Sequence, residues 1–205
     1  MPRSALKLKA LPDEVVSSDR EELILVDTDD REIGHRSKAA CHDRGGLLHR
    51  AFSLFVFNPR GELLLQRRAA DKRLWPMYWS NSCCSHPRRG ETMDEAVNRR
   101  LYQELRIRCD LSYLYKFEYH ACFGEAGSEH ELCWVYAGCS DDRVRANRNE
   151  IAAWRFIGTD ALDTELQARP DRFTPWFQLE WPVVRARMAG LGLPVTAPLP
   201  QFEQA

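Results

Sequence analysis

The sequence predicts an α/β fold: a mixed β-sheet covered by helices on both faces, forming an α/β/α sandwich. Three observations carry that expectation. Residues Ala51-Phe52-Ser53-Leu54-Phe55-Val56-Phe57 make an almost unbroken apolar run, the mark of a strand buried on both faces. Thr92 and Glu95 make a capping box, and Met93, Val97, Leu101 and Leu105 then recur every four residues along one helical face. Strand-like segments are interspersed with two or three helical ones, as in a single layered domain.

Taken in order, residues 1–20 read as a flexible lead, because Pro12 and Ser17-Ser18-Asp19 set no period. Glu22–Val26 reads as a strand, Asp27-Thr28-Asp29-Asp30 as its turn, and residues 37–41 as a short helix. The apolar run closes at Asn58-Pro59-Arg60-Gly61, and Glu62-Leu63-Leu64-Leu65-Gln66 follows, which predicts a buried β-hairpin. After the helix over 92–106 come strands over 113–123 and 131–138, joined by a Gly-containing connection. A strand at 151–157 and a closing helix over 175–188 complete the domain. Residues 190–205 read as a Pro-containing tail, so residues 21–189 form a single domain.

With 205 residues, 44% hydrophobic, the chain is long enough for one full core. A net charge of -1 gives no basic excess for nucleic acid. No apolar run approaches a membrane span, and residues 1–11 are basic without a hydrophobic core or cleavage site, so a cytoplasmic location is expected. The seven cysteines are odd in number and lie mostly in apolar segments (Cys109, Cys122, Cys133, Cys139). They predict reduced, buried thiols and no disulfide framework.

The chemistry gathers in Asn81-Ser82-Cys83-Cys84-Ser85-His86-Pro87 and in Glu129-His130-Glu131. These segments offer a thiol, a metal-capable imidazole and two carboxylates, enough to move a proton without an organic cofactor. Glu129 and Glu131 are two apart, so on a strand both project from one face. Imidazole with carboxylate suits Zn²⁺ or Mn²⁺. On the helix, Arg100, Gln103 and Glu104 share a face.

Read from Glu91, the positions Glu91, Arg99, Leu101, Glu104 and Ile107 resemble the Nudix signature, whose helix binds divalent metal on a diphosphate. Ser85 stands where that signature has Gly, Arg100 and Gln103 replace two metal carboxylates, and Arg106 replaces the closing Gly. A single remaining carboxylate can help hold Mg²⁺ only if substrate oxygens and water complete its shell. Such a helix suits holding a diphosphate rather than cleaving it.

Preceded by Trp79-Ser80-Asn81-Ser82-Cys83-Cys84-Ser85-His86-Pro87, the altered helix resembles that of type I isopentenyl-diphosphate isomerases, a Nudix family. The similarity runs over about residues 21 to 185. It passes through Leu48-His49-Arg50-Ala51-Phe52-Ser53, Gln66-Arg67-Arg68-Ala69, Lys72, Trp75-Pro76, Glu129-His130-Glu131 and Phe173-Thr174-Pro175-Trp176. The resemblance implies a Nudix-like fold and an isomerase that interconverts isopentenyl and dimethylallyl diphosphate by an allylic proton shift. It implies one tightly bound Mn²⁺ or Zn²⁺ on His42, His49, His86, Glu129 and Glu131, and Mg²⁺ on Glu104 with the substrate diphosphate. Cys84 and Glu131 would act on opposite faces of the alkene, Tyr119 would hydrogen-bond Glu131, and the Trp176 indole would face the carbocation. Lys38, Arg68, Lys72 and Arg100 would bind the diphosphate, and Cys83 would be a packing residue.

No flavin is expected. The implied partners are small-molecule isoprenoid diphosphates, with no nucleic acid or membrane, and the chain is expected as a monomer or weak homodimer. Two other readings compete: a hydrolase of organic diphosphates, which wants two or three acids on the helix face, and a non-catalytic Nudix-like module, which does not need Cys84, His86 and Glu131 together.

Overall fold

The computed structural model describes residues 13–188; the rest of the expected lead and the whole of the expected tail lie outside the described residues. At the start, β1 (Glu22–Val26) pairs antiparallel with β2 (Glu32–Ser37), an edge strand the sequence pattern did not reveal. Ser37 then caps α1 (Lys38–His42), its hydroxyl accepting from the Ala40 N–H at 3.3 Å. That short helix delivers His42 at its last turn.

The sheet is organised around β3 (His49–Phe57). Along one edge β3 runs parallel to β8 (Ser128–Cys139), in register from His49 opposite Glu131 to Phe57 opposite Cys139. Along the other it meets β6 (Cys83–Ser85) antiparallel, with Ser53 opposite Cys84. Further out, β7 (Leu111–Cys122) pairs with β8, and β4 (Leu63–Arg68) pairs with β5 (Trp79–Ser80) and β9 (Ile151–Ile157). The sheet is therefore mixed, as expected.

The alternation of a strand sorts the apolar run into two layers. Phe52, Leu54 and Val56 pack with Val97, Leu101 and Leu105 of α2 (Met93–Leu105). Ala51, Phe55 and Phe57 share the opposite cluster with Phe177, Trp181 and Val184 of α4 (Pro175–Arg187). Leu162 of α3 (Thr159–Ala168), a helix the periodicity missed, joins that second layer. The capping box forms as expected, with the Thr92 hydroxyl accepting from the Glu95 N–H and the Glu95 carboxylate accepting from the Thr92 N–H. At the other end Arg106 takes the left-handed conformation (φ 59°) that glycine usually supplies, and its N–H donates to the Tyr102 carbonyl at 3.0 Å. Its guanidinium then lies 5.1 Å from the Tyr102 ring centre.

The expected hairpin of residues 51–57 and 62–66 does not form as such. β3 and β4 pair only at Phe57 opposite Leu63, then part. Residues 79–85 enter the gap. The Ser82 hydroxyl accepts from the Val56 N–H at 2.8 Å and donates to the Leu64 carbonyl at 2.6 Å, so one side chain replaces the missing ladder bonds. This insertion sets Cys84 beside the centre of the sheet.

Two further expectations change. Residues 13–20 lie against the domain: Val16 is buried, and the Glu14 carbonyl accepts from Asn147 Nδ2 at 2.8 Å. All seven cysteines are free, but only Cys41, Cys83 and Cys133 are buried, while Cys109 is half-buried and Cys122 and Cys139 are exposed. The last two close β7 and β8, where apolar neighbours in sequence do not decide which way a side chain faces.

Candidate active site and metal centre

Four segments converge to bring His42, His49, His86, Glu129 and Glu131 together. Each of these buried residues offers a ligand atom, and the five atoms lie within 4.8 Å of one another. Gly127 makes the approach of β8 to α1 possible: at φ 137°, a Cβ there would stand 2.2 Å from the His42 carbonyl oxygen. His42 Nδ1 lies 2.7 Å from the Lys38 carbonyl, and His49 Nδ1 lies 2.7 Å from the Leu47 carbonyl. A carbonyl can only accept, so both Nδ1 atoms carry the proton and both Nε2 lone pairs are free to bind a metal.

The charges fit a cation too. His42 Nε2 is 2.8 Å from Glu129, and His86 Nε2 is 2.8 Å from Glu131. His49 Nε2 is fully buried with no hydrogen-bond partner, as a metal-facing nitrogen would be. Burial, reinforced by the neighbouring His42, pushes the His49 imidazole down to about 3, so it is a neutral ligand. Burial alone would raise Glu129, but His42 outweighs it and holds the carboxyl at about 2. Glu131 goes the other way, pushed well above the carboxylate range by burial and by the Glu129 charge. Two carboxylates this close are relieved by a divalent cation between them. Three imidazoles and two carboxylates suit Mn²⁺ or Zn²⁺.

Glu131 also faces a cavity of about 320 Å³ that Cys84, Tyr119 and Trp176 line. The Tyr119 hydroxyl donates to Glu131 Oε2 at 2.6 Å. Burial pushes the Cys84 thiol up to about 12, with Arg68 pulling the other way from 4.0 Å. Trp176 donates through Nε1 to Asn81 Oδ1 at 3.3 Å, and Trp75 meets it edge-on at 5.4 Å. Asn81 also donates to the Cys83 carbonyl at 2.8 Å, so it sets both the indole and the strand that carries Cys84. The sequence placed Asn81 in the motif without a role. Cys83 itself points away, into the α2 layer.

Lys38, Arg68, Lys72 and Arg100 line the same cavity. Arg68 is braced by the Leu74 carbonyl at 2.8 Å and the Trp75 carbonyl at 3.1 Å, within a loop that holds Trp75 and Met77 at positive φ. Lys38 titrates below its ordinary range because of burial, then because of the Lys72 and Arg100 charges. Arg100 donates to Glu104 at 2.6 Å, to the Val16 carbonyl at 2.6 Å and to Ser17 Oγ at 2.7 Å. Glu104, only 3% exposed, is bonded behind Arg100 and is not on the cavity wall. Gln103, the third residue of that face, accepts from Arg99 at 3.1 Å instead. On the wall stands a carboxylate the sequence did not single out, Glu150, paired with Lys72 and, at 3.0 Å, with Arg100. A lone Glu in a polar loop carries no periodic signal that could have marked it.

The NUDIX domain family matches residues 47–177. Over 163 residues the chain is 41% identical to isopentenyl-diphosphate Delta-isomerase 1 of Photorhabdus laumondii, covering 78% of this chain and 93% of that protein. Against the isopentenyl-diphosphate Delta-isomerase of Burkholderia multivorans it is 45% identical over 157 residues, covering 77% and 89%. Among solved structures, DR0079 from Deinococcus radiodurans superposes with a TM-score of 0.59 at 24% identity, over 72% of this chain and 90% of that one. A MutT protein from Methanosarcina mazei gives 0.55 at 16% identity, over 68% and 95%. These two share the fold. Among the described residues no helix is long and apolar enough to cross a membrane. The chain therefore belongs to the NUDIX superfamily and, within it, to the isopentenyl-diphosphate Delta-isomerase family.

Proposed function

We propose that the protein interconverts isopentenyl and dimethylallyl diphosphate by moving one proton on and one proton off the five-carbon chain. The observation that carries this reading is that Cys84 and the Tyr119-bonded Glu131 line one cavity together with four cationic side chains. Lys38, Arg68, Lys72 and Arg100 hold the diphosphate, Arg68 by its guanidinium and the lysines as point charges. The hydrocarbon end then lies between Cys84 and Glu131. These come from β6 and β8, on opposite sides of β3, which favours action on opposite faces of the alkene.

A proton added at C4 leaves a tertiary carbocation at C3, and loss of a proton from C2 re-forms the double bond. One of Cys84 and Glu131 gives a proton and the other accepts one, and the roles exchange in the reverse direction. The Trp176 face offers its π electrons to the cation, while the aromatic and Leu74 walls keep out water that would trap it. Tyr119 fixes one Glu131 oxygen and shares its proton. A Mn²⁺ or Zn²⁺ held by His42, His49, His86, Glu129 and Glu131 would supply positive charge that keeps Glu131 ionised and oriented. Mg²⁺ bound with the diphosphate would offset the phosphate charge, its shell completed by substrate oxygens and water, since Glu104 stands behind Arg100.

Hydrolysis is disfavoured because Arg100 and Gln103 stand where the signature has metal carboxylates. Cys84→Ala and Glu131→Gln should each abolish isomerisation while the metal-loaded wild type turns over. Retained turnover in both variants, or phosphate release from a nucleotide panel, sinks the reading.

A further inference from the structure

We propose that Glu150 is the positioning residue for the diphosphate end, its buried carboxylate holding Lys72 and Arg100 aimed into the cavity before substrate arrives. The inference rests on the isomerase reading above and extends it to a residue outside the signature.

Lys38, Arg68, Lys72 and Arg100 line one cavity with four basic side chains, in a chain whose net charge is -1. Like charges so placed repel, and a lysine on its four-carbon stem can escape into water at little cost. Something has to keep Lys72 in. Glu150 is 3% exposed, and its Oε2 pairs with Lys72 Nζ and with Arg100 Nη2 at once. It is ionised there: burial alone would raise it, but Arg100 and then Lys72 hold the carboxyl below its ordinary range.

The backbone is as constrained as the side chain. The Glu150 carbonyl accepts from the Ala69 N–H at 2.9 Å, in the loop that carries Lys72. Its N–H donates to the Asn147 carbonyl at 3.0 Å, and the Asn147 N–H donates to the Glu104 carbonyl at 2.7 Å, at the end of the helix that carries Arg100. One residue thus fixes the spacing between two cations from separate elements. Glu104 does not do this: of these two cations it bonds Arg100 alone.

The test uses the metal-loaded full chain, with isopentenyl diphosphate as substrate and inorganic pyrophosphate as a non-reacting probe. Glu150→Gln should raise KM and the pyrophosphate inhibition constant together by about tenfold, because Lys72 and Arg100 lose the carboxylate that aims them. Turnover should stay within about threefold and bound transition metal should be unchanged, because the proton-moving end is untouched. Glu150→Asp, which keeps the charge, should recover most of the affinity. In a Lys72→Gln background Glu150→Gln should add less than about threefold, since residues acting through each other are not additive. Pyrophosphate binding that is unchanged or tighter in Glu150→Gln overturns the proposal. So does full multiplication of the two effects, or a fall in turnover with loss of metal, which would mark a structural role. Pyrophosphate binding reads the diphosphate end alone, so a wild type that binds it and shows the Glu150 effect without isomerising would refute the isomerase reading and support this one.

Discussion

Replacing Glu180 by Gln removes one ionisable group from the layer between α4 and the sheet and leaves its shape almost intact. Glu180 is fully buried, with Oε1 3.5 Å from Cys133 Sγ and Oε2 without a hydrogen-bond partner. Burial pushes its carboxyl up to about 8, from an ordinary 4.5. Between those values the unfolded chain gives up a proton that the folded chain keeps, so stability falls as pH rises and the loss is complete above the folded pKa. The slope is one proton, about 1.4 kcal/mol per pH unit. The whole interval amounts to on the order of 5 kcal/mol, and Gln has no such term. Urea unfolding of both proteins at pH 5.5, 6.5 and 7.5, at fixed metal, should show Glu180→Gln gaining about 2.7 kcal/mol on the wild type across two pH units. Parallel stability curves would refute the reasoning, because they would mean that Glu180 titrates alike in both states.

Three other outcomes follow from the same geometry. His49→Ala should cut transition metal from about one ion per chain to less than about a tenth, by elemental analysis after gel filtration, and equal content in both proteins would remove His49 from the ligand set. Tyr119→Phe deletes the donor to Glu131, a hydrogen bond to a charged group worth about 1.5–3 kcal/mol, so kcat should drop by about 10- to 150-fold with KM nearly constant. An unchanged kcat would make Tyr119 a packing residue. Ser82→Ala leaves the Val56 N–H and Leu64 carbonyl unpaired in the core and should cost about 2–5 kcal/mol in urea unfolding, whereas a cost below about 0.5 kcal/mol would mean that β3 and β4 close the gap themselves.

What the sequence disclosed divides along physical lines. The α2 helix was legible because its capping box and four-residue spacing are local, and the two-sided burial of β3 because its apolar run is continuous. The partner of β3 was not, since the Ser82 hydroxyl that props the hairpin open comes from 26 residues away. Glu129 and Glu131 share a face by strand periodicity alone, but His42, His49 and His86 come from three separate segments. Their grouping could be foreseen only from an ordered set of motifs. Asn81 and Glu150 stayed unread because their meaning lies in what they touch, an indole 95 residues on and two cations from other elements. Arg106 shows the converse: a residue that breaks the helix signature on paper takes up the left-handed turn that glycine normally makes.

On this mechanism one cavity adds a proton at one end of an allylic unit and removes another from the far side. Incubating the metal-loaded protein with isopentenyl diphosphate and Mg²⁺ in D₂O tests it most directly. The expected result is dimethylallyl diphosphate carrying deuterium in the methyl group formed from C4, with no phosphate released. Product without deuterium, phosphate in place of product, or no reaction by fully metallated protein would contradict it.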